Sequence, residues 1–254
     1  MAILQSIQIY PIKGLNAQPL TVAQLEPNKG IAGDRAYAIA VGNTEFDPEH
    51  PVHMGKLKFL MLMTSPKLAQ LRLDMPPGSP VARIYKGQEQ LLAADLSNED
   101  GVQAFNACLE TFMGDEGKKP FRLVTAPGHM FSDVREDCLS MLNLASVDAL
   151  SKAMDLPLDP LRFRANLHVN GLDPWEERQW QPGHIIRING CELEVMRPIT
   201  RCAATSVDLA TGQLDSDVPK SLSTLFGKNH MGLYVNVKTG GPIAVGNDVR
   251  HQGK

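Results

Sequence analysis

One stretch of the chain indicates both its fold and its chemistry: Cys191-Glu-Leu-Glu-Val-Met-Arg-Pro-Ile-Thr-Arg-Cys-Ala-Ala-Thr-Ser-Val-Asp-Leu-Ala-Thr-Gly212. Residues 191–195 alternate apolar and charged side chains, which predicts a β-strand. Pro198 lacks the N–H that a strand ladder needs, so we expect the strand to end there. Residues 208–212 predict a turn. Cys202 is therefore expected on a short loop at the rim of a sheet.

The residues around Cys202 in the sequence are cationic and polar. Arg197 and Arg201 lie within five residues of it, and Thr200 and Thr205 lie within three. Nearby cations favour the thiolate, which is the form of cysteine that attacks electrophiles or binds metal. The alternative is packing, because free cysteine is among the residue types most often buried. The local sequence leaves both interpretations open.

Length and composition bound the kind of protein. The chain has 254 residues, of which 43% are hydrophobic and 21% charged, so it can form one large or two modest domains. Its formal net charge of −3 gives no electrostatic reason to expect nucleic acid or an anionic membrane as a partner. The sequence has no signal-peptide pattern and no apolar run near the roughly 18 residues of a membrane span. We therefore expect a cytoplasmic protein with no membrane or nucleic-acid partner.

Strand patterns outnumber helix patterns along the chain. Strands are predicted over 2–10, 19–26, 36–41, 80–86, 166–170, 184–195, 233–238 and 243–249. Helices are predicted over 98–113 with Ser97 as its cap, over 144–154, over 219–226, and briefly from Ser65 and Pro66. The predicted fold class is α+β, β-rich and built on barrels. The charged, glycine-containing residues 114–120 suggest a boundary between domains of 1–113 and 114–254.

The four cysteines do not form a recognisable metal or disulfide framework. None of them makes a C-x-x-C pair, and their spacing fits neither a zinc ribbon nor an iron–sulfur loop. Cys108 and Cys191 are interpreted as packing residues, whereas the sequence gives Cys138 no role. No G-x-G-x-x-G motif is present, so we expect the chain to bind neither nicotinamide nor flavin.

Three cations stand at predicted strand ends and not in mid-strand. Lys13 follows the first strand, Arg35 precedes the third, and Arg164 lies in Arg162-Phe-Arg-Ala-Asn166. Arginine binds phosphate bidentately and lysine binds it as a point charge, so three such cations can form an anion pocket. The alternative is that each is an ordinary surface cation. Asp208 has a similar ambiguity: it could donate a proton beside a metal, or it could cap the turn at 209–212.

These elements together resemble a known family. Tyr10-Pro-Ile-Lys-Gly14 followed by Gly33-Asp-Arg35 resembles the MOSC N-terminal β-barrel domain. Four later motifs resemble the MOSC domain itself. This is the C-terminal family of molybdenum cofactor sulfurases, and it includes the amidoxime-reducing component. The four motifs are Phe163-Arg-Ala-Asn166, Gly171-x-x-x-Trp-Glu-Glu-x-x-Trp180, Arg201-Cys-x-x-Thr-x-Val-Asp-x-x-Thr-Gly212 and Ile243-x-Val-Gly246. The resemblance implies an N-terminal β-barrel-like domain followed by a MOSC β-barrel domain with short helices.

The resemblance also implies a cofactor and the residues that hold it. The cofactor is the molybdenum cofactor (molybdopterin), and pyridoxal phosphate is not expected. It would lie between the two domains, with Cys202 as the protein ligand of molybdenum. A soft thiolate suits such a sulfur-rich centre. Cofactor contacts are expected from a set of polar and cationic residues: Lys13, Arg35, Ser132, Arg164, Asn166, Thr200 and Arg201.

The reaction that the resemblance implies is two-electron reduction of an N-hydroxylated or N-oxide small molecule. Cys202 and Asp208 are the expected catalytic residues. Four cysteines are too few for a fused ferredoxin domain, so electrons are expected from a separate ferredoxin, flavoprotein reductase or small cytochrome. The alternative function is a carrier without turnover, of molybdenum cofactor or of a persulfide sulfur on Cys202.

The chain departs from the family pattern at several positions. Gly14 stands where related reductases often have Ser, and residues 51–58 replace an expected Thr-Ala-Arg stretch. Residues 134–137 replace a run of small hydroxyl residues and proline, and Leu209 replaces a proline. These departures keep a third interpretation open, in which the MOSC scaffold no longer binds cofactor.

Overall fold

A computed structural model of the protein describes residues 1–252. The strands are β1 Ala2–Ile9, β2 Gln18–Leu20, β3 Val22–Leu25, β4 Tyr37–Val41, β5 Leu71–Asp74, β6 Val81–Lys86, β7 Glu89–Asp95, β8 Phe121–Thr125, β9 Leu139–Asn143, β10 Leu167–Asn170, β11 Ile185–Ile188, β12 Cys191–Thr200, β13 His230–Thr239, β14 Gly241–Ala244 and β15 Asp248–Gln252. The helices are α1 Glu99–Met113, α2 Leu144–Met154 and α3 Val218–Phe226. The predicted α+β, β-rich fold class is confirmed.

Seven strands close into a barrel. They run in the order β10-β9-β13-β12-β11-β15-β1, and a pairing between β1 and β10 completes the circle. Leu193 and Val195 of β12 point inward to a continuous apolar core, whereas Glu192 and Glu194 are partly exposed. Only β9 and β10 pair in parallel within this barrel, and α2 connects them because parallel neighbours need a crossover.

A second core lies in the N-terminal part of the chain. It is enclosed by the three-stranded sheet β5-β6-β7, by the pair of β4 with β8, and by α1. Helix α1 buries Phe105, Leu109 and Met113 in this core, at the spacing of one helical face.

The two parts exchange segments. Strand β1, at the start of the chain, belongs to the C-terminal barrel, and β8 at 121–125 pairs with β4 in the N-terminal part. The domain boundary between residues 113 and 114 stays a prediction. In the fold, β1 lies before this boundary but belongs to the C-terminal barrel, and β8 lies after it but belongs to the N-terminal part.

Several sequence predictions about element bounds were wrong in detail. Strand β12 continues through Pro198 to Thr200, and the register shifts on both sides of Pro198 place its missing N–H where the ladder is already irregular. The predicted strand at 184–195 is a hairpin, because Asn189 and Gly190 both have positive φ and form a tight turn. The predicted strands at 19–26 and 243–249 are likewise two strands each.

The cap of α1 is Asn98 and not Ser97. The Asn98 side chain accepts a hydrogen bond from Gly101 N at 2.9 Å, whereas Ser97 donates to Asp95. We expect Asn98→Ala to lower the free energy of unfolding by about 1 kcal/mol, the usual contribution of such a cap. Ser97→Ala should have a clearly smaller effect in the same urea titration. Equal losses for the two variants would contradict this assignment.

None of the helices within residues 1–252 is both long enough and apolar enough to cross a membrane.

Candidate functional site

A cavity of about 470 Å³ lies between the two parts of the protein. The N-terminal part contributes Lys13, Gly14 and Arg35 to its wall, and the barrel contributes Arg164 and Cys202. Its lining is strongly cationic. Within residues 1–252 it includes seven basic side chains and one carboxylate, that of Asp133: the basic residues are Lys13, Arg35, Lys56, Arg162, Arg164, Arg197 and Arg201.

Cys202 lies where the sequence predicts it, on a loop directly after a strand. It follows the end of β12 and caps a short 3-10 helix at Ala203–Ser206. Its carbonyl accepts hydrogen bonds from Thr205 N at 3.0 Å and from Thr205 Oγ1 at 2.9 Å. The thiol is free, half-buried and part of the cavity wall. The loop therefore holds the Cys202 backbone in place and leaves its sulfur available to a ligand.

Cys138 is a second cysteine in the same wall, but its chemistry differs. It is 3% exposed, and burial raises the pKa of its thiol to about 12. Cys138 therefore stays protonated at neutral pH, and a protonated thiol is a poor nucleophile and metal ligand.

Arg201 is a buried guanidinium held by backbone carbonyls. It donates through Nε to Met231 O and through Nη1 to Phe163 O, both at 2.8 Å. Burial lowers its pKa to about 10, so it remains a cation at neutral pH. Its Nη2 has no hydrogen-bond partner within residues 1–252. Gly232 leaves room for this group, since a Cβ there would lie 3.0 Å from Nη2.

Arg35 and Arg164 flank the ring of Tyr10. Their guanidinium carbons lie 5.0 and 4.3 Å from its centroid, within the range of cation–π attraction. Both residues have positive φ, near 50°, which turns the chain sharply at the two cavity walls. Arg35 also donates to Arg164 O at 3.0 Å. The two cations predicted from strand ends are thus brought together by one aromatic residue.

Asp34 organises this group from behind. It accepts hydrogen bonds from Tyr10 N at 2.7 Å and from Asn166 Nδ2 at 2.8 Å, and it forms an ion pair with Arg35. Asp34 is 3% exposed, so all of these contacts are shielded from water. One buried carboxylate therefore fixes residues from both parts of the protein.

Lys13 also lines the cavity, where its charge is paired with that of Asp133. Its ammonium donates to Phe131 O at 3.0 Å and forms an ion pair with Asp133. Burial lowers the pKa of Lys13, and Asp133 opposes that shift. Arg35, Lys13 and Arg164 therefore all reach the cavity, as the anion-pocket hypothesis requires.

Three further residues of the predicted set also lie at the cavity. Ser132 and Thr200 line it. Asn166 lines it too, but its side chain is fully engaged: Oδ1 accepts from Ser140, and Nδ2 donates to Gln8 O and Asp34. Asn166 therefore supports the wall more than it offers hydrogen bonds to a ligand.

Asp208 is not brought to the cavity wall. Its Oδ1 accepts hydrogen bonds from Ala210 N, Thr211 N and Thr211 Oγ1, and its Oδ2 lies 3.0 Å from Arg162 Nη2. The hydrogen bonds from Thr211 lower the pKa of this carboxyl, which keeps it ionised and makes it a poor proton donor. The geometry fits the turn-cap interpretation of Asp208 and does not fit that of a proton donor beside a metal.

Two of the departures from the family pattern have a structural reason or replacement. Gly14 has φ of +93°, and a Cβ there would lie 2.8 Å from Leu60 O, so serine does not fit this backbone. The segment 51–58 lacks the expected arginine, but its Lys56 lines the cavity. The cationic character of the wall is thus retained by a different residue.

Tyr10, Asp34 and Tyr234 are among the residues of the site that were not predicted from the sequence, as are Lys56 and Asp133. Tyr10 and Asp34 belong to the quoted motifs around Lys13 and Arg35, so the motifs themselves were the available signal. Tyr234 lines the cavity from β13. Burial raises the pKa of Tyr234, so its phenol keeps its proton and can donate a hydrogen bond.

His168 lies on β10, two residues after Asn166, and its burial predicts a pH effect on stability. Burial lowers its pKa to about 4, well below its ordinary value near 6.5. The unfolded chain then binds more protons between these two pH values, so the free energy of unfolding should fall as pH is lowered through that window. The free energy of unfolding should change by up to about 1.4 kcal/mol per pH unit within that window. Urea titrations at several pH values should show a weaker dependence of this free energy on pH for His168→Leu. An unchanged pH dependence would contradict the assignment.

Comparison with known proteins agrees with this geometry. A sequence model of the MOSC domain family matches residues 127–250, which include Cys202, Arg164 and Arg201. Residues 127–250 are a MOSC domain. The MOSC domain thus contains the barrel strands β9 to β13 and most of β15, and β14 lies outside the barrel, paired with β3. It supplies the thiol side of the cavity, while Lys13, Arg35 and Lys56 come from the preceding residues.

Relatives of this chain include molybdenum cofactor sulfurases. It is 24% identical to molybdenum cofactor sulfurase 2 of Culex quinquefasciatus, with 92% of this chain and 34% of that protein covered. It is 23% identical to the molybdenum cofactor sulfurase of Homo sapiens, with 87% and 28% covered. The chain therefore spans about a third of the length of these relatives.

A solved structure shares the fold over the whole chain. The YUAD protein from Bacillus subtilis superposes with a TM-score of 0.51 and 13% sequence identity, covering 100% of this chain and 98% of that one.

Proposed function

We propose that the cavity binds molybdenum cofactor, with Cys202 as the protein ligand of the metal, and that the protein is an oxidoreductase. The single observation that supports this most is the composition of one cavity wall. It joins a half-buried free thiol to seven basic side chains and one carboxylate. A soft thiolate suits a sulfur-rich metal centre, and the cations suit the phosphate of the pterin.

The distribution of charge within the wall supports an anionic ligand. Several of its cations are neutralised by carboxylates: Arg35 by Asp34, Arg197 by Glu136, and Arg162 by Asp208 and Asp215. Arg164 and Arg201 form no ion pair within residues 1–252, and Arg201 Nη2 is a buried donor without a partner. A buried donor of this kind gains about 1–3 kcal/mol when a ligand satisfies it. The residues present therefore fit an anionic group.

We assign each cavity residue a task in the bound state. The phosphate and pterin would be held by Arg164, Arg201 and Lys13. Arg35 would orient Arg164 by donating a hydrogen bond to the Arg164 carbonyl. The Tyr234 phenol would donate a hydrogen bond to a ligand oxygen. When bound, the cofactor supplies two-electron redox chemistry, which protein side chains do not provide themselves.

The reaction we propose is reduction of an N-hydroxylated or N-oxide small molecule. The N–O bond breaks, two electrons and two protons enter, and the products are the reduced nitrogen compound and water. The electrons would come from a separate protein in the cytoplasm, of the ferredoxin, flavoprotein reductase or cytochrome class. The excess of positive charge in the wall favours neutral or anionic substrates over cationic ones.

The experiment that tests this proposal measures metal and turnover together. The protein would be expressed in a host that makes molybdenum cofactor, and molybdenum per chain would be determined by mass spectrometry. Benzamidoxime, with a chemical electron donor, would then serve as the N-hydroxylated probe. We expect near-stoichiometric metal and release of benzamidine. Metal without turnover would refute the oxidoreductase, and absence of metal would refute cofactor binding.

A second candidate function is a carrier of molybdenum cofactor or of sulfur. The observation that favours it is the name of the relatives, which are molybdenum cofactor sulfurases and about three times as long as this chain. In this function Cys202 would hold a persulfide sulfur or a cofactor for delivery, without turnover. Release of labile sulfur from Cys202 by a reductant, in protein that lacks activity, would favour the carrier. A protein with neither metal nor labile sulfur would be a MOSC scaffold without cofactor binding.

A further inference from the structure

Arg162 is a buried cation that bridges two carboxylates beside the cavity. Its guanidinium donates through Nη1 and Nη2 to Asp215, at 2.6 and 2.5 Å, and through Nη2 to Asp208 at 3.0 Å. The Arg162 side chain is 3% exposed, whereas each carboxylate is 28% exposed. A bidentate Arg–carboxylate pair of this kind fixes geometry as well as charge.

The two carboxylates lie on opposite arms of the segment that follows Cys202. Val207 and Leu214 form an antiparallel bridge between these arms, and Asp208 N donates to Gln213 O at 2.8 Å. Asp215 N donates in turn to Ser206 O at 3.2 Å, within the 3-10 helix that Cys202 caps. Arg162 therefore closes this loop at its base, next to the helix that begins with the Cys202 backbone.

Arg162 also belongs to the segment that carries a phosphate-binding candidate. It lies in the 3-10 helix Pro160–Phe163, which ends at Arg164. The same guanidinium thus connects the segment of Arg164 to the segment of Cys202. Apart from Arg201, which donates to Phe163 O, these are the polar side-chain contacts that join the two segments in residues 1–252.

We propose that Arg162 is a positioning residue that sets the Cys202 thiol relative to Arg164, acting through Asp208 and Asp215. The inference rests on the proposed function only in that Cys202 and Arg164 share a ligand; the coupling itself is a property of the protein without cofactor. Loss of the bridge should loosen the loop 203–217 and let the thiol sample positions that the native loop excludes. Asp208 then serves the site as an anchor of this loop.

The test compares the reactivity of the Cys202 thiol in protein without cofactor. Wild type and Arg162→Met would be treated with iodoacetamide, and the peptide containing Cys202 would be quantified by mass spectrometry, which separates it from the other three cysteines. We expect the rate at which iodoacetamide alkylates Cys202 to rise by on the order of tenfold in Arg162→Met, because local opening controls access to a half-buried group. Hydrogen exchange in 203–217 should rise in the same variant. Arg162→Lys, which keeps the charge but loses the bidentate fork, should give an intermediate rate.

Two controls separate positioning from a general loss of stability. Arg187→Met removes another arginine–carboxylate pair, with Glu192 at 2.8 Å, from the exposed β11–β12 hairpin. Leu109→Ala destabilises the N-terminal core, where Leu109 is 3% exposed. Neither should change the Cys202 rate at a temperature well below unfolding. A rate for Arg162→Met that equals wild type, or a rate for Leu109→Ala that changes as much, would overturn the proposal.

The outcome for Arg162 can be separated from a failure of the variant to fold and from a failure of the proposed function. If Arg162→Met does not fold, Asp215→Asn keeps the side-chain volume and should produce the same direction of change, and an unchanged rate there would overturn the proposal equally. Molybdenum content is measured separately. Wild type without metal would refute the proposed function, while the thiol comparison would still decide whether Arg162 positions Cys202.

Discussion

Replacement of Cys202 by alanine should leave the protein folded and remove its molybdenum. The thiol is half-buried at the end of β12 and makes no side-chain hydrogen bond within residues 1–252, so the substitution disturbs little of the fold. Under the proposed function the variant loses the protein ligand of the metal. Loss of a residue that only supports a ligand lowers metal affinity by about 10- to 100-fold, so retained molybdenum should fall by at least that much. Metal analysis of both proteins after identical gel filtration measures this directly.

The matched control is Cys138→Ala. Cys138 lines the same cavity, but burial raises its pKa to about 12, so its sulfur is not a thiolate at neutral pH. This variant should keep its molybdenum, and a modest loss of stability from a small buried void is its main expected effect. Retention of metal by Cys202→Ala, or equal loss in the two variants, would contradict the assignment of Cys202 as the ligand.

The location of Cys202 was predictable because it depends on local sequence. An alternating strand followed by a turn places the residues between them at a sheet edge, whatever the rest of the chain does. The same holds for Lys13, Arg35 and Arg164, each of which ends or begins a strand-like run. The structure adds that all three edges line a single cavity.

The turn cap of Asp208 was one of the alternatives from the sequence, but its contact with Arg162 was not predictable in this way. Asp208 and Arg162 are 46 residues apart, and no local pattern announces their contact. The same reason hid Asp34, whose bond to Asn166 spans 132 residues. Such carboxylates are identified by the donors that surround them, and those donors are brought together only by the tertiary fold.

Strand β9 shows a different limit of pattern analysis. All five of its residues are buried, so Leu139-Ser-Met-Leu-Asn143 has no alternation of apolar and polar side chains. It lies between β10 and β13 inside the barrel, and Ser140 accepts and donates hydrogen bonds with Asn166. A strand covered on both faces loses the period of two by which strands are recognised.

Replacement of Asp34 by alanine should cause the largest loss of stability of the variants considered. The substitution leaves Tyr10 N, Asn166 Nδ2 and the Arg35 guanidinium without their acceptor, all at a position that is 3% exposed. Breaking a buried ion pair from one side costs about 3–5 kcal/mol, because the remaining charge is left uncompensated. Urea titration at neutral pH should show a loss of that size in the free energy of unfolding.

Asp47→Ala is the matched control, because Asp47 also accepts a backbone N–H, from Glu49, and its Oδ2 lies 3.1 Å from His50 Nδ1, but at an exposed site. It should change the free energy of unfolding by no more than about 0.5 kcal/mol. Asp34→Asn separates the charge from the volume: asparagine fills the same space but turns an NH₂ group toward donors of Asn166 and Arg35. A loss close to that of Asp34→Ala is therefore expected. Full stability of Asp34→Asn would show that the buried carboxylate fills space and does not hold the two walls of the cavity together by charge.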